Sequence, residues 1–600
     1  MRDHTTCTAC GEAARVERHA TLDAAISRPG PRSAGAGPEA AADSRRMRIL
    51  LLCSAFNGLS QRAWVELREA GHQVEVQLAT DADAVRAAVR AVDPDLVICP
   101  FLRERVPAEV WNARPTIVLH PGPKGDRGPS SLDWALMDAA PVWGVTAVEA
   151  VEEMDAGPIW GSRTFPLGGS SRKSDLYNTA VTDAAVELVH EVVARAADPS
   201  FVPEPLDHRR ADVIGRLRPS VRQADRAFCW SDRSELILRR IRAADGSPGV
   251  RSELAGLPVA VFDAHASGST GSPGQEPGAV TGRRHGAVQV ATGDGAIWVG
   301  HLRSLADSTD PGLKLPATTV LDGLLHDVPT AADDAGYREI AYRRDGAVGV
   351  LTFDFYNGAM STRQCRRLDA ALQHATDQDT RVLLLQGGTT FSNGIHLGVI
   401  EAATDPAAEA WDNIVAIDDV CRRIITCTRQ LVVCSVAGNA GAGGVMLALG
   451  ADHVLLRHGV VLNPHYQSMG LYGSEYWTYV LPRRVGPDEA AALTTRCDPI
   501  GSQHALRTGL ADEVLHAVDV ENAAARYAAR LAGSTDYLTR LADKRTARIA
   551  DEWQRPLRDY RHAELDRMWS DIVDDEHGFA EARRAFILTR RVPRTTAATT

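Results

Sequence analysis

His120 opens the run His120-Pro121-Gly122-Pro123-Lys124-Gly125-Asp126-Arg127-Gly128-Pro129, and Asp155 sits in Met154-Asp155-Ala156-Gly157-Pro158-Ile159-Trp160. An imidazole can take a proton from an incoming nucleophile near neutral pH, and a nearby carboxylate fixes its tautomer. Taken singly, a capping Asp and a His-Pro-Gly turn are more often structural. A glycine-rich pair of segments follows much later: Phe391-Ser392-Asn393-Gly394-Ile395-His396-Leu397, then Gly441-Ala442-Gly443-Gly444. Glycine lets backbone approach a ligand closely. A helix that starts there would present unpaired N–H groups and partial positive charge. A third stretch, Asn463 to Trp477, carries Tyr466 and Glu475, a phenol and a carboxylate suited to moving a proton.

These groups need frames to hold them. Met47–Cys53, Val74–Leu78, the run 95–100 and Thr116–Leu119 read as strands, with an amphipathic helix over Arg62–Ala70. Alternation of this kind predicts βαβ units and a parallel, doubly wound Rossmann-like sheet. His120 falls just past a strand end, where ligands bind in such sheets. A helix over Asp175–Ala197 closes this unit. Next come short strands at Leu257–Phe262, Ala287–Ala291 and Ala296–Val299, separated by Gly/Ser/Pro-rich turns such as 267–274, and a linker near 326–337. Beyond it lie strands at Ala347–Phe353 and Arg381–Gln386, a helix at Thr362–Ala375, a long helix at Asp412–Thr428, and the strand Leu431–Val436 that feeds the glycine turn. The predicted fold class is α/β multidomain. It comprises a disordered extension over 1–46, a Rossmann-like unit over 47–203, a small β-barrel over 204–330, a larger α/β unit over 337–540 and a helical tail over 541–600.

Composition narrows the function. At ~100–200 residues per domain, 600 residues require several units. A net charge of -11 argues against nucleic acid or an anionic membrane as partner. No apolar run approaches the ~20 residues of a membrane span, and the first 46 residues hold no signal-peptide core. Scattered single cysteines suit a reducing cytoplasm. Cys7 and Cys10 lack the second pair that zinc would need, so no metal is expected.

The front motif resembles the active site of formyltransferases that use formyl-tetrahydrofolate. Their Asn-x-His and later Asp map to position 118, His120 and Asp155, but position 118 here is Val. Loss of an oxyanion donor costs roughly 2.7–4 kcal/mol elsewhere, so backbone N–H groups in 122–128 or His120 itself must replace it. Residues 230–242 with the strand near 257–261 resemble the small barrel that follows the catalytic domain in methionyl-tRNA formyltransferases. The rear glycines resemble the oxyanion hole of the crotonase (enoyl-CoA hydratase) family, which polarises a thioester carbonyl with two amides. Mapping that pattern puts the donors at Ile395 and Gly443. The two glutamates of hydratases fall on Met446 and His465, so hydration machinery is absent.

Taken together, HPGxKGDRGPSSLDW and NPHY…LYGSEYWTYVLPRRVG resemble the HypX/HoxX family of hydrogenase maturation proteins from residue 47 onward. The resemblance implies formyl transfer from N10-formyl-tetrahydrofolate to coenzyme A. It further implies decarbonylation of formyl-CoA, which supplies CO to the iron of [NiFe]-hydrogenase. His120, Asp155, Tyr466 and Glu475 would be catalytic, and Gly122, Lys124, Arg127, Gly394 and Gly444 would line substrate. Arg483 and Arg484 are candidates for the CoA phosphates. Partners would be small-molecule substrates and hydrogenase maturation proteins. The loop before Glu475 is one residue shorter than the family's, which leaves the Tyr466–Glu475 distance open. Competing readings are a non-catalytic CoA-binding rear module, a formyltransferase acting on a sugar or amino acceptor, and a maturation scaffold without chemistry.

Overall fold

Apolar runs that are buried on nearly every residue set the frame, as in strands covered on both faces. The computed structural model describes residues 46–169, 171–268, 275–307, 312–332 and 336–588. The extension predicted for 1–46, with Cys7 and Cys10, falls outside them except for Arg46, as do residues 269–274 of the predicted loop.

The front sheet comprises β1 (Arg48–Cys53), β2 (Gln73–Leu78), β3 (Leu96–Cys99), β4 (Thr116–His120), β5 (Val142–Glu149) and β6 (Ile159–Pro166), in the order β2-β1-β3-β4-β5-β6. β1 to β4 run parallel, as predicted. β5 and β6, absent from the sequence reading, add antiparallel strands on the far side of β4. β4 ends on His120 itself. The helix predicted over 175–197 begins at Lys173 and carries a π-helical turn at Tyr177–Val181 before Thr182–Ala197.

The middle unit is an antiparallel path, Val250–Leu254, Leu257–Ala266, Ala296–Ser304, Ala287–Ala291 and Val280–Arg284, with Lys314–Pro316 paired to Ala296–Ser304. The rear unit has a six-stranded sheet in the order Ile340–Asp345, Val348–Phe353, Val382–Gly387, Leu431–Val436, His453–Arg457 and Glu513–Leu515. Beside it Thr390–Ser392, Asn439–Gly441, Val461–Asn463 and Ile500–Gly501 form a smaller sheet, and both glycine segments lie on it. The helices Tyr537–Gln554, Leu557–Ile572 and Phe579–Ile587 end the described chain. No helix among the described residues is long and apolar enough to cross a membrane.

Front, middle and rear meet at a buried polar junction. The Asp263 carboxylate accepts from Arg172 at 2.7 Å, His265 at 2.7 Å and His301 at 3.0 Å. Asp245 accepts from the Tyr356 hydroxyl at 3.0 Å and from the Asp263 amide at 3.0 Å. Lys314 reaches the Tyr356 hydroxyl at 3.1 Å. The His301 ring lies 4.4 Å from that of Tyr356 and 6.5 Å from that of His396, the residue after Ile395.

Candidate functional site

Alternation along β4 puts Val118 and His120 on one face. The turn after β4 then folds back on the imidazole. His120 Nε2 meets Asp126 Oδ2 at 2.8 Å, while Nδ1 lies 3.6 Å from Asp155 Oδ2. The bonded partner is therefore Asp126, a residue of the motif run, rather than Asp155. Gly122 makes this fold-back possible, because a methyl at its Cα would overlap the Asp126 carboxylate. With the Nε2 proton donated to Asp126, the Nδ1 lone pair faces Asp155. Asp155 holds a left-handed φ of 57° and accepts from the Gly128 amide at 3.3 Å. Val118, Val148, Met154 and Asp155 line a small pocket whose walls also include Leu102 and Trp111. Glu104, Arg105 and Glu149 add charged groups to its rim beside Asp155. His120 is itself only 5% exposed and meets this pocket through Val118 and Asp155.

The loop amides are largely spoken for. Gly122 donates to His120 O, Asp126 to Pro123 O, Arg127 to Arg216 O and Gly128 to Asp155. Of the backbone donors predicted to replace the missing Asn, Lys124 and Gly125 remain. The Lys124 ammonium is held by Glu204 and Asp212, both at 2.9 Å, and Arg127 by Glu153 at 2.7 Å. These two side chains fasten the loop to its neighbours in this arrangement.

At the rear, the helix Gly443–Leu449 starts from Ala442, whose φ of 45° and ψ of −127° are rare for a residue with a side chain. Gly394 has φ 75°, and a Cβ built on it would lie 3.3 Å from the Gly443 nitrogen, so the two turns abut. Gly444 packs so closely that a methyl would overlap the Ser392 carbonyl. Among the described residues, neither the Ile395 nor the Gly443 amide has a hydrogen-bond acceptor. Unpaired buried amides are uncommon, and these two lie on adjoining turns.

Glu475 reaches this place from the later loop. Its carboxylate accepts from the Tyr466 hydroxyl at 3.0 Å and from the Ser474 amide at 3.2 Å, and it lies against Gly443, where a methyl would overlap it. The shortened loop therefore still closes the Tyr466–Glu475 pair. Glu475 is 2% exposed. Burial, then the nearby Asp418 charge, push its carboxyl up to about 7, against the lowering pull of Tyr466 and Ser474. Burial beside Glu475 also pushes the Tyr466 phenol well above its ordinary value. Glu475 and Tyr476 both hold left-handed backbone, φ 59° and 60°. Such residues cost about 1–3 kcal/mol each and persist only when their surroundings impose them.

Met446, at the position of a hydratase glutamate, is fully buried in the rear core. His465, at the other, turns Nδ1 to the Asn463 carbonyl at 2.8 Å. Arg484 is taken up by Asp512 at 3.0 Å and the Ala451 carbonyl at 2.9 Å, and Arg483 by Asp551. Both arginines brace the fold rather than standing free for a phosphate. Front and rear sites share one compact unit. The Thr389 hydroxyl, just before the first glycine segment, donates to Asp175 at 2.8 Å. Between the parts lies a cleft of about 1120 Å³, lined by Arg62, Asp183, Asp354, Gln386, Thr389 and Arg457 among others.

Residues 344–593 match the family model "Enoyl-CoA hydratase/isomerase", and residues 220–309 match "Formyl transferase, C-terminal domain". The chain is 44% identical to hydrogenase maturation factor HoxX of Bradyrhizobium diazoefficiens over 552 residues, 91% of this chain and 95% of that one. It is 29% identical to methionyl-tRNA formyltransferase of Acidiphilium cryptum over 219 residues, 36% of this chain and 67% of that one. The crystal structure of HypX from Aquifex aeolicus in complex with tetrahydrofolic acid superposes with a TM-score of 0.87 at 38% identity, covering 92% of this chain and 97% of that one. A formyltransferase-type front, an amide pair on a crotonase fold and near-complete overlap with these relatives lead to one conclusion: the chain belongs to the HoxX/HypX family of hydrogenase maturation factors.

Proposed function

We propose that the protein moves a formyl group from N10-formyl-tetrahydrofolate to coenzyme A at the front and decarbonylates formyl-CoA at the rear. At the front, the CoA thiol attacks the formyl carbon while His120 Nδ1 takes the thiol proton, held in register by Asp126 and faced by Asp155. The tetrahedral intermediate collapses with cleavage of the C–N10 bond, and N10 leaves with a proton. At the rear, the Ile395 and Gly443 amides hold the thioester oxygen. Glu475 removes the formyl hydrogen as a proton, the C–S bond breaks, CO departs, and the proton returns to the thiolate. Release of CO suits a maturation factor whose client enzyme carries a carbonyl ligand on iron.

One observation carries the rear half: the Glu475 carboxylate, bonded to Tyr466, lies against the unpaired amide turn while Met446 fills the hydratase position. The test is purified protein with formyl-tetrahydrofolate and CoA, with headspace CO read by haemoglobin spectroscopy. His120→Ala is expected to lose CO from formyl-tetrahydrofolate yet release it from supplied formyl-CoA. Wild type that accumulates formyl-CoA without CO would reduce the rear unit to a binding module.

A further inference from the structure

The left-handed pair Glu475–Tyr476 is gripped on both peptide N–H groups by carboxylates from two different helices. Asp418, on the helix Pro406–Ile425, accepts from the Glu475 amide at 2.8 Å. Glu564, on the helix Leu557–Ile572, accepts from the Tyr476 amide at 2.8 Å, and its other oxygen accepts from the Thr478 amide at 2.8 Å and from the Thr478 hydroxyl. Both carboxylates are fully buried. Helix-interior acids ordinarily face water, so two that turn inward onto consecutive amides of a strained turn need a reason. Asp418 shares a cation with Asp419: Arg561 stands 3.4 Å from Asp418 and 2.9 Å from Asp419.

We propose that Asp418 and Glu564 are positioning residues, which hold the Glu475–Tyr476 turn in its left-handed form and so aim the Glu475 carboxylate at the thioester. This rests on the reading of Glu475 as the rear-site base. Released from the clamp, the dipeptide would relax to ordinary backbone angles and swing the carboxylate away from Gly443.

Asp418 also acts by charge. The groups facing Glu475 are Tyr466 on its own loop, Asp418 and Cys421 on the first helix, Cys365 on Thr362–Asp377, and Glu564 on the last, whose Arg561 stands against Asp418. The helix Gly443–Leu449 brings no charged side chain. Burial pushes Asp418 up to about 6 against the lowering pull of Arg561 and the Glu475 amide, and burial with Asp418 beside it pushes Glu564 up to about 8. Negative charge on Asp418 raises Glu475 in turn.

The experiment follows CO release from supplied formyl-CoA against pH. Asp418→Asn keeps an acceptor for the Glu475 amide and removes the charge. Its acidic limb is expected to fall by roughly one pH unit, with kcat within about tenfold of wild type because the amide bond survives. Asp418→Ala removes the acceptor as well and is expected to lower kcat further at unchanged KM. A merely structural role would lower activity in both without moving the limb, and that result overturns the inference. Should Asp418→Asn not fold, Glu564→Gln carries the same test: a kcat loss confined to the rear reaction supports the clamp, and an unchanged profile overturns it. Glu475→Gln run alongside separates the failures. CO release surviving in that variant removes the base assignment itself, whereas its loss with Asp418→Ala no less active than Asp418→Asn removes the clamp alone.

Discussion

Glu475→Gln is expected to lower CO release from formyl-CoA by about 10²–10⁴-fold, the usual contribution of a positioned general base, while formyl-CoA synthesis at the front continues. Glutamine fits the same space and still accepts from Tyr466, so the geometry survives and only proton acceptance is lost. The wild-type enzyme should show an acidic limb near pH 7, since burial and Asp418 hold the carboxyl up to about 7 and only the ionised form is a base. The same shift acts on stability with a definite sign. The folded-state value lies above the ordinary 4.5, so the stability linked to this group is present below about 4.5 and is lost as pH rises through 7. Glutamine removes that penalty, and the variant should unfold at a temperature no lower than wild type at pH 8. A silent, fully folded variant then reports chemistry rather than collapse. Wild-type CO release from Glu475→Gln would end the assignment.

How much of this was legible before folding depends on where the signal lies. Strands buried on both faces announce themselves as apolar runs: Ala287–Ala291 and Leu431–Val436 fall on the read boundaries. β5 and β6 are harder to see: β6, Ile159–Pro166, is half-exposed and polar along its second half, so no apolar run marks it as a strand. The helix read from Asp412 starts at Pro406, and Asp405-Pro406 was an available start signal, a capping acid before a proline at the first helical position. Tyr466 and Glu475 could be nominated from local sequence, since only nine residues separate them. Asp126 was in plain view, but nothing local says that the turn folds back onto His120. Asp418 and Glu564 lie 57 and 88 residues from the amides they hold. An acid on a helix reads as a solvated face until the packing partner is known, and only tertiary structure supplies that partner.

The junction makes the last prediction. Asp263→Ala is expected to lower the unfolding free energy by about 3–5 kcal/mol, the range for removing one partner of a buried ion pair. Burial opposes ionisation of Asp263, but His265, His301 and Arg172 outweigh it and hold the carboxyl well below its ordinary range. Its charge is therefore present at any pH near neutrality, and its contribution is lost only as pH falls below the ordinary carboxylate value. Alanine leaves Arg172 with Asp175 and a distant Asp354 at 3.9 Å, and leaves His301 without its acceptor. Arg172 comes from the front, Asp263 and His301 from the middle, and Tyr356 and His396 from the rear, so the loss falls on the contact between parts more than on any one core. Denaturant unfolding should show the front and rear parting at a lower midpoint. Transfer of CO production from formyl-tetrahydrofolate should suffer more than release from supplied formyl-CoA, because only the first needs both sites in register. Asp263→Asn, which keeps an acceptor for Arg172, should sit between wild type and alanine. An alanine variant with an unchanged midpoint would mean that the three parts are held by their apolar contacts alone.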